Sequence, residues 1–161
     1  PAWLLLGSTT LEAASSSVGF DTTRYNRSEY MIIYDTQGPG TLNLRFNKQS
    51  DAVYNYQGQN RLTNFQAASA GLCVVASLTA VQFAGVIYIR DAFPPGTGVQ
   101  AWGNGTQSAT SNANIPGVSV FSCAYFNNLT PITPIREIQI VDDATTQFES
   151  GGRFILYGST N

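Results

Sequence analysis

Short alternations of apolar and polar residues recur along the chain. The clearest is Leu42–Phe46, where apolar side chains occupy every second position and Asn43 and Arg45 lie between them. A period of two residues is typical of a half-buried strand. Residues 47–51 are polar and of types that favour turns, because their side chains can bond nearby backbone groups. The alternation resumes at Tyr54, so this stretch predicts a strand, a turn and a second strand.

Continuous apolar runs predict further strands. We expect Trp3–Leu6 to be a strand covered on both sides and Tyr30–Tyr34 to be a central strand. Gln37–Gly40 is a strong turn signal, so the strand that follows it is expected to return as a hairpin. Residues 74–81 and 83–90 are expected to form another antiparallel pair.

The second half of the chain alternates between loops and strands. Gln57–Asn64 is predicted to be a polar loop and Phe65–Gly71 a single helical turn. Residues 91–117, rich in Gly, Pro, Asn, Ser and Thr, are predicted to form one long irregular loop, and loops of this length are usually functional or disordered. The remaining strands are expected at Val118–Phe126, around Ile138 and Ile140, and at Arg153–Gly158. About nine short strands predict one domain over residues 1–161, an all-β antiparallel two-sheet β-sandwich that is jelly-roll-like.

The composition leaves this fold with an unusually neutral surface. Hydrophobic residues make up 43% of the 161 residues, which is enough for a core, whereas charged residues make up only 11%, against a usual ~25%. Lys48 is the only lysine and the net charge is −2, so the basic footprint of a nucleic-acid-binding protein is absent. No apolar run is long enough for a transmembrane helix, and the N-terminus lacks the basic start of a signal peptide. We expect no direct contact with nucleic acid or membrane.

The residue types needed for catalysis are scarce. Histidine is absent, which removes the commonest general base and metal ligand, so a thiol nucleophile or a zinc site is not expected. Cys73 and Cys123 lie in apolar segments and are expected to be buried free thiols, with a disulfide as the alternative. Asp142 and Asp143 could contribute to a calcium site, although solvated turn residues are the favoured interpretation. Other acids that could form a glycosidase pair are expected at strand ends: Asp35, Asp51, Asp91, Glu137 and Glu149. We predict no enzyme, no cofactor and no metal.

Two groups of residues are candidates for ligand or partner contact. Trp102 and Phe93, with Asn104 and nearby amides at 107, 112 and 114, have the composition of a sugar-binding loop, in which a ring stacks on a sugar and amides bond its hydroxyls. A contact with another subunit is the favoured alternative, and local loop packing is the third.

The second group is Tyr54 and Tyr56 with Arg61, which could form an interface patch because Tyr and Arg are favoured at protein–protein contacts. Two tyrosines that simply flank a sheet are an equal alternative.

Four segments carry a resemblance to a known group of proteins. They are Trp3–Leu11, Leu42–Asn47 with Asp51 and Tyr54, Tyr125–Asn128 before Ile135–Ile140, and Phe148–Gly151 leading to Phe154–Gly158. Together they resemble small bacteriophage virion proteins, many from marine and cyanobacterial phages. The family turn often has Gly where this chain has Lys48, and the Pro94–Gly96 loop has no counterpart in that pattern.

The resemblance implies a β-sandwich carried on the virion. We expect a non-enzymatic capsid decoration (cement) protein on the capsid surface, assembled in the host cytoplasm, with the major capsid protein as partner. Homotrimerisation is predicted from the low-charge surface and from the positions that decoration proteins occupy. The alternative is a tail-fibre receptor-binding head that recognises a host surface glycan through residues 91–117. A polysaccharide-degrading enzyme is the least favoured interpretation.

Overall fold

The structure is a computed structural model, and it describes residues 2–25, 27–50, 54–60, 63–70, 73–91, 98–109, 117–125, 135–142 and 147–160. Within these ranges the chain forms ten β-strands. They are β1 (Trp3–Thr10), β2 (Ser17–Asp21), β3 (Glu29–Phe46), β4 (Tyr54–Asn60), β5 (Thr63–Ala70), β6 (Cys73–Asp91), β7 (Val99–Ala109), β8 (Gly117–Tyr125), β9 (Glu137–Val141) and β10 (Arg153–Ser159).

Eight strands form one large antiparallel sheet in the order β1-β10-β3-β6-β7-β8-β4-β5. The second half of β3 leaves β10 and pairs with β9, which in turn pairs with β2, so a smaller sheet packs against the large one. The predicted all-β antiparallel sandwich is therefore confirmed. Tyr30–Tyr34 lies in the middle of the large sheet, as predicted, because β10 and β6 flank β3 on its two sides.

The core lies between the two sheets and follows the predicted alternation. Ile32, Ile87 and Leu156 face inward from three neighbouring strands of the large sheet, and each is at most 1% exposed. Leu44 and Ile140 are paired in the smaller sheet and are fully buried. Burial of such side chains stabilises the fold by about 1.5–3 kcal/mol each.

The predicted hairpin at Gln37–Gly40 is wrong, because β3 continues through it as one strand. The register with β6 shifts between Gly38 and Gly40, so that Pro39 has no partner across the ladder. Proline has no N–H to donate, and a bulge is a position where a strand tolerates it. The sequence signal was therefore a bulge, at the point where β3 passes from one sheet to the other.

The sequence-based predictions for the polar strands β4 and β5 are also wrong. Gln57–Asn60 and Thr63–Ala70 lie in strands rather than in a loop and a helical turn, because β4 and β5 form an antiparallel pair in which Asn60 lies opposite Thr63. Residues 61, 62 and 71 lie outside the described residues. The separate strands predicted at 74–81 and 83–90 are one continuous strand, β6. Pairing with neighbours on the sheet overrides the weak local preferences of these segments.

The predicted loop over 91–117 is corrected by β7, which occupies Val99–Ala109. Its inward positions beyond Ala101 are Gly103 and Gly105, so they show no hydrophobic alternation. A Cβ on Gly105 would lie 2.5 Å from the hydroxyl oxygen of Tyr34 and 2.8 Å from the carbonyl oxygen of Ala84. Glycine is therefore required where the Tyr34 ring crosses β7.

Trp3–Leu6 is also not covered on both sides. It belongs to β1, which pairs only with β10 at the edge of the large sheet. Leu4 is 45% and Leu5 63% exposed. A short apolar run does not distinguish a central strand from an edge strand that carries a binding surface.

Candidate binding surface

The outer face of the large sheet, on the side away from the core, carries the candidate site. Cross-strand partners place their side chains on the same face, so the register defines rows across the sheet. One row runs from Leu5 through Tyr157, Met31, Tyr88, Trp102, Ser122 and Gln57 to Gln66. The next runs from Ser8 through Ile155, Ile33, Val86, Asn104, Val120 and Gln59 to Asn64. Both rows change from apolar to polar midway across the sheet.

The apolar half of this face lies on β1, β10, β3 and β6. It consists of Trp3, Leu5, Met31, Ile33, Val86, Tyr88, Ile155 and Tyr157. Leu5 and Ile33 are exposed, at 63% and 38%, and the others are half-buried. Contiguous apolar patches on a surface mark sites of interaction.

Among the described residues, charged side chains lie only at the two ends of the apolar half. At one end, Nε of Arg90 lies 3.5 Å from Oε1 of Glu29. At the other, Arg153 is the cross-strand partner of Asp35, whose carboxylate accepts a hydrogen bond of 3.2 Å from Gln82 Nε2. The two apolar rows lie between these ends and are free of charge.

The polar half lies on β7, β8, β4 and β5 and contains an open depression of about 620 Å³. The outward side chains around it are Asn55, Gln57, Gln66, Ala68, Gln100, Trp102, Ser122 and Ala124, and none of the described lining residues is charged. The volume falls within the range of about 300–1,000 Å³ that is usual for ligand sites.

A second depression of about 410 Å³ lies beside the first. The two share Gln57, Gln66 and Ser122 in their walls, and the second also has an uncharged lining that includes Gln59 and Val120. Because they share a wall, the two depressions form one groove, which we call the amide groove.

Three aromatic rings connect the two halves of the face. The ring centroids of Trp3 and Tyr88 are 6.4 Å apart, and those of Tyr88 and Trp102 are 6.0 Å apart with an angle of 22° between their planes. Trp102 is 43% exposed. Trp102 stacks with Tyr88 of β6 and also lines the first depression of the amide groove.

The structure separates the residues that were predicted to contact a ligand or partner. Trp102 and Asn104 lie on the outer face, as side chains i and i+2 of β7, with Asn104 exposed. Tyr56 faces inward and is half-buried, with its ring centroid 6.2 Å from that of Phe65. Phe93 and Arg61 lie outside the described residues, as do positions 112 and 114.

Tyr54 is a core residue, so the prediction that it forms an interface patch is wrong. It is fully buried and its ring lies 5.2 Å from Tyr125. Its hydroxyl accepts a hydrogen bond of 2.9 Å from Phe46 N–H and lies 3.1 Å from the carbonyl oxygen of Gln49. Burial raises the pKa of Tyr54 well above the usual tyrosine value. Tyr54 therefore holds the turn that ends β3.

The same turn explains the Leu42–Asn47 segment. Asn47 has a left-handed φ of 52°, and its side-chain oxygen accepts hydrogen bonds from the backbone N–H groups of Arg136 (2.7 Å) and Glu137 (3.1 Å). Asn is one of the few residues that adopt this conformation readily. The predicted turn is confirmed, and it fixes the start of β9.

The acidic and thiol groups form no reactive centre in the described part of the chain. No group of three or more His, Cys, Asp or Glu residues there is placed to hold a metal ion. Asp142 is buried and Asp143 lies outside the described residues. Cys123 is a buried free thiol on the inner face of β8.

The amides of the groove were missed at the level of sequence. Gln57 and Gln59 were assigned to a loop and Gln66 to a helical turn, because β4 and β5 carry no long apolar pattern. The sequence does contain a signal for β4. Tyr54, Tyr56 and Gly58 occupy every second position with polar residues between them, which is the period of a strand with glycine at one inward position.

Within the described residues, no helix has the length and apolar character needed to cross a membrane. Comparisons with protein-family models, curated proteins and solved structures find no significant match. The function is therefore inferred from the residues of this chain and the surfaces that they form.

Proposed function

We propose that this protein is a non-enzymatic structural subunit of a phage virion. It decorates and stabilises the capsid as a homotrimer in which the apolar halves of the outer faces of three copies meet around a threefold axis. The observation that carries this proposal is an apolar sheet face whose charges are confined to its ends. Water contact with this face is unfavourable, and a second copy offers a partner of matching apolar chemistry.

The size of the apolar half agrees with a cementing role. Four strands at ~4.8 Å and the seven residues from 29 to 35 at ~3.3 Å cover roughly 400 Å² of flat surface. Stable pairs usually bury about 800 Å² on each partner. One contact of this kind is therefore weak, and strength comes from many copies acting together on a lattice.

The end charges are able to support the same contact. Each end of the apolar half carries both signs, Glu29 with Arg90 at one and Asp35 with Arg153 at the other. A neighbouring copy can thus pair with either end without facing only like charges, and such rim charges favour orientation more than affinity.

The first test is the oligomeric state in solution, measured by sedimentation velocity over a series of concentrations. The wild-type chain is expected to reach three times its 17.3 kDa mass. Ile33→Glu places a charge in the apolar half and is expected to give monomers. Val120→Glu is the matched control, since Val120 is exposed to a similar degree on the polar half, and it should leave the assembly intact. A wild-type monomer at all concentrations contradicts the proposal.

The second test is the location in virions, by cryo-electron microscopy of intact particles labelled with an antibody against this chain. Copies spread over the capsid lattice are expected. Copies found at the tail alone would instead support the tail-fibre head alternative.

A further inference from the structure

We propose that the amide groove binds an uncharged polysaccharide chain, which lies along β4 and β8 with one sugar ring stacked on Trp102. This binding site is additional to the capsid-cementing role and uses a different part of the outer face.

Trp102 supplies the platform. Its ring stacks with that of Tyr88, with centroids 6.0 Å apart, and the residue is 43% exposed. A ring fixed in this way presents a rigid apolar surface whose orientation is set before a ligand arrives, which lowers the entropy lost on binding. The C–H face of a pyranose ring is an apolar surface of matching shape.

The amides supply the polar contacts. Gln57, Gln66 and Gln100 are exposed around the first depression, and Ser122 lies between them. Each glutamine has two donors and one acceptor oxygen, so together they can serve sugar hydroxyls, which both donate and accept.

The lining also determines the charge of the ligand. Among the residues that the structure describes, no Lys, Arg, Asp or Glu lines either depression. A sulfated, phosphorylated or carboxylated sugar would lose water from its charge without gaining an ion pair. The groove therefore favours neutral sugars.

The form of the groove favours a chain over a single sugar. From Asn55 to Gln59 it follows β4 for about 13 Å, at 3.3 Å per residue, and its second depression continues past Ser122. The groove is open along the sheet surface, so an internal segment of a polymer can enter without a free chain end.

The experiment is affinity electrophoresis of the full chain in native gels that contain dextran, xyloglucan, galactomannan or starch, with alginate and heparin as charged comparators. At least one neutral polymer is expected to retard the protein, and added salt should not release it. Titration calorimetry with that polymer should show about tenfold or greater loss of affinity in Trp102→Ala. Trp102→Phe keeps an aromatic platform and should stay much closer to wild type.

Two further variants keep the result interpretable. The double variant Gln57→Leu with Gln66→Leu changes exposed positions, so it should fold normally and lose binding even if Trp102→Ala is destabilised. Ile33→Glu should lose self-association but keep polysaccharide affinity, which distinguishes failure of this site from failure of the capsid role. Retardation by none of the neutral polymers, retardation by the charged ones only, or undiminished binding by the double variant would each overturn the proposal.

Discussion

The apolar and polar halves of the outer face belong to one sheet, but different inner side chains lie behind them. Beneath the apolar half, the inner row contains Leu156, Ile32 and Ile87. The same row continues beneath the polar half as Gly103, Phe121 and Gly58. Large aliphatic side chains form a rigid interior on one side, whereas on the other aromatic rings lie across glycines.

This difference in the inner row accompanies the change of the outer face from apolar to polar. Phe121 lies across Gly103, where an added Cβ would come within 2.9 Å of its ring. Tyr54 and Tyr125, with rings 5.2 Å apart, are on the inner side of the polar half. Along this row the apolar half is thus backed by aliphatic side chains, whereas the polar half is backed by glycines and an aromatic ring.

The largest effect that we expect is unfolding at alkaline pH, because buried tyrosines lie behind both halves of the outer face. Burial raises the pKa values of Tyr34, Tyr54 and Tyr125 in the folded protein. Because the folded pKa is above the unfolded value of about 10, this stabilisation is fully present below pH ~10 and is lost as the pH rises further.

The free energy of unfolding, measured by urea titration at a series of pH values, should therefore be level up to about pH 9 and fall above pH 10. Above about pH 10 the free energy of unfolding should fall less steeply with pH in Tyr125→Phe, which removes one of these ionisations. A slope in Tyr125→Phe as steep as in wild type would show that the tyrosines under the polar half do not control it.

The next largest effect on the free energy of unfolding is expected from truncation of inner side chains behind each half. Leu156→Ala, under the apolar half, should lower the free energy of unfolding by about 2–5 kcal/mol, because it leaves a cavity among aliphatic side chains. Cys123→Ala, under the polar half, removes one buried atom and should cost only about 1 kcal/mol. A cost of Leu156→Ala in urea titrations no larger than that of Cys123→Ala would show that the aliphatic row contributes little packing.

Loss of the Tyr54 hydroxyl should have a moderate effect. Tyr54→Phe leaves the buried N–H of Phe46 without the acceptor that lies 2.9 Å away, and an unsatisfied buried donor costs about 1–3 kcal/mol. The matched control is Tyr125→Phe at neutral pH, which keeps the neighbouring ring and should change thermal stability less. The opposite order of the two melting temperatures would show that the hydroxyl of Tyr54 does not hold the turn.

The smallest effect is expected at Lys48, outside both halves of the face. Its φ of 58° is left-handed, a conformation that costs a non-glycine residue about 1–2 kcal/mol. Its exposed ion pair with Glu137, at 3.5 Å, is worth at most about 1 kcal/mol. Lys48→Gly should therefore be more stable than Lys48→Ala by about 1 kcal/mol, since both lose the ion pair but only glycine relieves the strain.

Neither Lys48 variant should alter self-association or polysaccharide binding, because the turn contributes to neither half of the outer face. A change in either property, measured by sedimentation or calorimetry, would mean that the surface depends on the turn.

The sequence by itself determined the fold class and the position of its strongest strands. Tyr30–Tyr34 and Arg153–Gly158 contain continuous apolar runs, and in Leu42–Phe46 apolar residues alternate with polar ones. Burial of one face of an alternating strand leaves a single register. The turn at Asn47 was also determined locally, because its side chain and its left-handed backbone belong to the turn itself.

Only the tertiary structure decided where the polar strands lie and which side chains meet. Gly103 and Gly105 face inward because rings from Phe121 and Tyr34 fill the space above them, and this reason is absent from the local sequence of β7. Trp102 and Gln57 are 45 residues apart in the chain. They lie on β7 and β4, and both are cross-strand partners of Ser122 on β8. Hydrogen bonding between strands brought them into one groove, since local periodicity specifies the faces of a strand but not its neighbours.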